Sequence, residues 1–155
     1  MDQLAVLRHY VATLGYRGSQ ALHAAPDYFA WFNAGHGVRS PVELLSHTAV
    51  VLEYARARLA EDERECWEVE TWEAETERFY LTLERLDEAL LHGAKQADDN
   101  TMRQMIQGPL ADAMTHIGQL TMLRRLAGAP VPQGGFVEAD VRTGRLRYPV
   151  PEGET

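Results

Sequence analysis

The sequence predicts an all-α fold, a four-helix bundle with an irregular or short-hairpin C-terminal tail. Apolar side chains recur at three- and four-residue spacing in four separate segments, and none of these shows the alternation of a half-buried strand. Proline, glycine and acidic clusters punctuate the chain between them. On this reading residues 1–128 form the bundle and residues 129–155 a tail packed on it.

Leu4, Leu7, Val11, Leu14, Gly18 and Ala21 define a first helix from about Asp2 to His23, closed by Ala25-Pro26. Its second half is rich in small residues (Gly15, Gly18, Ala21), which would admit a neighbouring helix at close range. The connection that follows, residues 26–40, holds Tyr28, Phe29, Trp31 and Phe32, then His36 between two glycines. Large aromatics favour burial, so this stretch reads either as a plug over the core or as an aromatic wall beside a pocket. Ser40-Pro41-Val42-Glu43 opens a second helix, with a serine cap, proline in the first turn and an acid behind it. Leu45, Thr48, Leu52, Ala55 and Leu59 make its main stripe to about Ala60, and His47 falls at the border of that stripe.

Residues 61–70 are acidic and read as a solvated turn. A third helix runs from about Thr71 to His92 on a seam of Trp72, Thr76, Phe79, Leu83, Leu86 and Leu90, with Gly93 as its stop. Asp98-Asp99-Asn100 is a polar break, and residues 101–107 read as a short helical turn. Gly108-Pro109 then opens the fourth helix, which ends at Gly128 with Arg124 and Arg125 in its last turn. At roughly 100° per residue, Pro109, Ala113, Leu120, Leu123 and Ala127 share a face with Asp112 and His116. That places two ionisable groups in the middle of a stripe expected to be buried, where a carboxylate needs a cation or hydrogen-bond partners. Pro130, Pro132, Gly134 and Gly135 prevent another long helix, and the turn at residues 142–145 suits a small hairpin or an extended strap.

Composition narrows the function classes. A net charge of −8 argues against nucleic-acid binding, which leaves a basic stripe on most of its practitioners. No apolar run approaches the roughly 18 residues of a membrane span, and the first ten residues lack the basic and apolar blocks of a secretory signal, so a cytoplasmic protein is expected. The single cysteine, Cys66, excludes an internal disulfide and reads as incidental among its glutamates.

The chemistry sits on the fourth helix. Asp112 and His116, at i and i+4, project the same way with β carbons about 5–6 Å apart, a spacing from which one helix can offer two ligands to one metal. His47, the histidine within the second helix, would complete a mononuclear site if the two helices are neighbours. Gln119 and Glu43, one turn from His116 and His47, could orient those ligands. The other reading is a non-catalytic module, a dimer or a binder of a small ligand, in which Asp112 and His116 form a metal-free buried pair.

Two motifs, Ser40 to His47 and Asp112 to Leu120 continuing into Leu-Arg-Arg-Leu-Ala-Gly, resemble those of the DinB/YfiT-like family of metalloenzymes, together with their separation and the helix order. The resemblance covers most of residues 1–128. It implies a bundle with up-down-down-up connectivity, often a homodimer, and a divalent metal held by His47, Asp112 and His116. Zinc and nickel are the usual metals. Some relatives are transferases or isomerases that depend on a low-molecular-weight thiol and many have no established activity, so the expected reaction is that of a metal-dependent hydrolase or of a thiol-dependent transferase or isomerase. The commoner pattern has histidine where this chain has Asp112; a carboxylate is a harder ligand and also suits iron or manganese. Substrate and reaction are not specified by any residue.

Overall fold

In a computed structural model, which describes residues 2–92 and 97–150, the chain is all-α, with no strand among the described residues. The helices are α1 (Gln3–Leu22), α2 (Pro41–Ala60), α3 (Trp72–His92), α4 (Asp99–Met105) and α5 (Ala111–Leu126). The expected stop at Gly93 and the last five residues of the tail lie outside the described residues. Side-chain oxygens open the helices where the sequence places them. Asp2 accepts from the Ala5 amide at 2.7 Å, Asp98 from the Thr101 amide at 2.8 Å, and the Glu43 carboxylate accepts both the Ser40 amide and hydroxyl.

The fourth rod starts earlier than expected. Gly108-Pro109 does not open a helix; α4, a π turn at Ile106–Leu110 and α5 follow without a break in helical backbone. Proline removes one amide donor but its fixed φ is helical, so the ladder can widen instead of stopping. Here the Ala111 amide reaches back to the Ile106 carbonyl, the wider i to i−5 bond.

Four rods surround one core: α1 packs on α3 and α5, and α2 packs on the same two. Phe29, Phe79, Leu14, Leu52 and Leu83, none with measurable exposure, fill its centre. The α3 seam is followed from Phe79 to Leu90, whereas Trp72 and Thr76 are only half-buried. Polar residues tie the rods together at the margin. Arg8 of α1 forks onto Asp87 of α3 with two bonds of 2.8 Å. Buried Arg124 donates to the carbonyls of Ala21, His23 and Ala129, so it closes the end of α1 as well as its own helix.

The small residues of α1 admit close neighbours, but only one of them is a helix. At Gly18 a Cβ would stand 2.5 Å from the Phe79 ring of α3; at Gly15 it would stand 2.3 Å from the Leu146 carbonyl oxygen of the tail. The tail is therefore irregular rather than a hairpin, and it lies on α1. Leu146 and Tyr148 are buried there, with Tyr148 edge-on to Tyr16 at 5.3 Å. Gly15→Ala is expected to cost about 1–3 kcal/mol by displacing this strap. Thermal melting would show the loss, and limited proteolysis should cut first between residues 129 and 150; an unchanged digestion pattern would refute the strap's role.

Candidate functional site

The second helix presents His47 half-buried, and the fifth presents His116 buried. The two rings, expected to converge only if their helices are neighbours, lie 4.9 Å apart between centroids. Asp112 comes close as well, with its Oδ1 3.8 Å from His116 Nε2, beyond hydrogen-bond range. Among the described residues, no three His, Cys, Asp or Glu side chains stand in a ready ligating arrangement.

Asp112 is not in the middle of the buried stripe. Its side chain is 56% exposed against 9% for His116. The buried side chains of α5 are Ala113, His116, Ile117, Leu120, Leu123 and Arg124. Their common axis runs about 80° round the helix from Asp112 at 100° per residue. The expectation that both groups need burial partners is thus corrected to one: His116 is within the protein and Asp112 on its rim. A metal-free buried hydrogen-bonded pair is not what the side chains form. Instead His116 Nδ1 is buried without a hydrogen-bond partner among the described residues.

Burial disfavours the charged form of both imidazoles and lowers both pKa values, an effect that the Arg39 charge reinforces at each and that Asp112 opposes. The lone pairs are accordingly available near neutral pH. Gln119 is exposed and Glu43 is engaged with Ser40; neither is hydrogen-bonded to a histidine among the described residues.

Beside His47 opens a cleft of about 880 Å³. One wall is the connection after α1, which divides between the two functions considered for it. Phe29 is the plug, fully buried and edge-on to Trp72 at 5.4 Å, whereas Trp31 and Phe32 line the cleft. The rim turns at Gly35, His36 and Gly37, with φ of +78°, +56° and +73°. Three successive left-handed residues are tolerable because glycine flanks the histidine on both sides. Trp67 and Val69 also line the cleft.

Trp67 belongs to residues 61–70, read from sequence as a solvated turn. The segment is exposed as expected, with Trp67 half-buried, and two hydrogen bonds anchor it to α2. Its Glu65 amide donates to buried Glu53 at 3.0 Å, and the Trp67 indole donates to Ser46 at 3.2 Å, next to His47. Arg78 lies 4.9 Å over the Trp67 ring while bonded to Glu75, a carboxylate with no exposure. A tryptophan in an otherwise acidic turn was the available signal.

Compared with family models, curated proteins and solved structures, the chain shows no match.

Proposed function

We propose that the chain is a divalent-metal-binding protein of the DinB/YfiT-like kind, a four-helix bundle with up-down-down-up connectivity, in which His47, Asp112 and His116 hold one metal ion. The observation that carries this reading is the meeting of His47 and His116, side chains of two different helices, with the Asp112 carboxylate 3.8 Å from His116 Nε2. Two neutral imidazoles and one carboxylate are a donor set for zinc, nickel, iron or manganese. The exposed Asp112 side chain has the freedom to turn toward the pair. A divalent cation held there would supply Lewis acidity toward an oxygen or a low-molecular-weight thiol, the chemistry of a hydrolase or a thiol-dependent transferase or isomerase. The protein's part is to keep both imidazoles unprotonated by burial and to leave the cleft side of His47 open to a substrate.

Elemental analysis of protein purified without an affinity tag should find about one equivalent of metal, and His47→Ala and His116→Ala should each abolish it. A His47→Ala, His116→Ala double variant that retains the metal removes the reading. A chelator should lower the melting temperature by roughly 5–10 °C, since about 2.7 kcal/mol of linkage is lost when a ligand at a hundredfold its Kd is withdrawn.

A second reading, a non-catalytic homodimeric module, draws on Met122 and Leu126, apolar side chains of α5 that are 63% and 61% exposed. Sedimentation of the wild type and of a Met122→Lys, Leu126→Lys variant distinguishes it: a dimer that dissociates, in protein indifferent to chelator, favours the module.

A further inference from the structure

The cleft beside His47 carries one carboxylate and one guanidinium on its lining, so it lacks the acidic excess of the chain. Its carboxylate, Glu43, accepts from the Ser40 amide at 2.9 Å and the Ser40 hydroxyl at 2.7 Å, so it is already engaged. Arg39, also on its lining, makes no ion pair among the described residues, in a protein of net charge −8. Its charge reaches inward far enough to act on both imidazoles. The N-terminus of α2 is close by, but the Glu43 carboxylate fills the place an external anion would take. A single planar guanidinium fork therefore remains for a ligand, and it matches a carboxylate bidentately.

The walls add a second requirement. Trp31, on the lining, is 63% exposed, and half-buried Trp67, also on the lining, is held by Ser46 and Arg78. Exposed indole faces lose little freedom on contact and favour a flat apolar partner. The volume of about 880 Å³ falls within the range of sites for small molecules.

We infer that this cleft binds a small planar carboxylate, its ring against Trp31 and Trp67 and its carboxylate on Arg39. His47 lies on the same lining, so a ligand seated this way extends toward the two histidines. The inference deepens the metal-site reading by naming the substrate class, and it rests on that reading only for what happens at the far end of the ligand.

Tryptophan fluorescence titrations with benzoate and with its neutral isostere benzamide test it. Benzoate should give a saturable change, benzamide should bind at least tenfold more weakly, and Arg39→Gln should weaken benzoate about tenfold while leaving benzamide unaltered. Circular dichroism of the exposed-site variant controls for folding. Absence of saturation by benzoate, equal binding of benzamide, or less than a threefold loss in Arg39→Gln overturns the inference. The titrations are repeated after chelation. Benzoate binding through Arg39 in protein that never held metal would uphold the cleft and remove the metal reading; full metal content without benzoate binding would do the reverse.

Discussion

Replacing Glu53 with alanine is expected to lower the unfolding free energy by about 3–4 kcal/mol, because it leaves a half-enclosed guanidinium without its main partner. Glu53 is 2% exposed and lies on α2. It receives Arg56 through two bonds, 2.8 Å from Nε and 2.7 Å from Nη2, and also takes the Glu65 amide. Burial alone would push this carboxyl up, but those hydrogen bonds and the charges of Arg56 and Arg85 hold it below its usual 4.5. The sign follows: the contribution is present above pH 4.5 and is lost as pH falls through the depressed folded-state value. Urea denaturation across that window should show a steeper acid loss for wild type than for Glu53→Ala. Removing both charges is expected to cost far less, so Glu53→Met with Arg56→Met should recover most of the stability. A single-variant loss below about 1 kcal/mol would mean that the pair behaves as a surface bridge. The consequence reaches the cleft, because the Glu65 amide is two residues from Trp67. Benzoate affinity should fall in Glu53→Ala even where the protein remains folded.

The helices with clean periodicity were legible: α1 through Leu7, Val11 and Leu14, α2 through its proline and acid start, and α3 from Phe79 to Leu90. Each is a local pattern whose hydrophobic period and capping chemistry agree. The last rod was misread at Pro109, since local rules treat proline as a boundary and the π turn that accommodates it depends on the helix on both sides. The aromatic connection was legible only as a pair of alternatives, because burial of Phe29 and exposure of Trp31 are decided by what α3 and α5 place beneath them. In the acidic turn the solvation of residues 61–70 was legible from their charge, but the anchoring was not: Glu53, which takes the Glu65 amide, is hidden in a stripe of alanines and leucines. At the site, the nearness of His47 and His116 was legible only on the condition that their helices are neighbours, which helical position alone does not decide. The exposure of Asp112 was not legible, because a shift of a few tens of degrees in the centre of the stripe separates the rim from the interior.

The other large effect is expected where α1 meets α3. Phe79 has no exposure, and its ring fills the space that a side chain at Gly18 would need. Phe79→Ala should cost about 3–5 kcal/mol, the transfer of a large ring plus the cavity left behind. Gly18→Ala gains up to about 1 kcal/mol of helix propensity, yet a methyl 2.5 Å from the ring cannot be accommodated without moving it, so a net loss of about 1–2 kcal/mol is expected. In the Phe79→Leu background the same alanine meets a smaller neighbour, and its effect should shrink or change sign. A double-mutant cycle by chemical denaturation should then report a coupling of at least about 1 kcal/mol, whereas additivity within about 0.5 kcal/mol would mean that ring and glycine do not meet. The same contact positions more than the core. Arg78, adjacent in sequence to Phe79, covers the Trp67 ring and bonds to buried Glu75. A shift of α3 that lets Gly18→Ala fit must carry Arg78 with it, so this variant should weaken benzoate binding while metal content stays at about one equivalent.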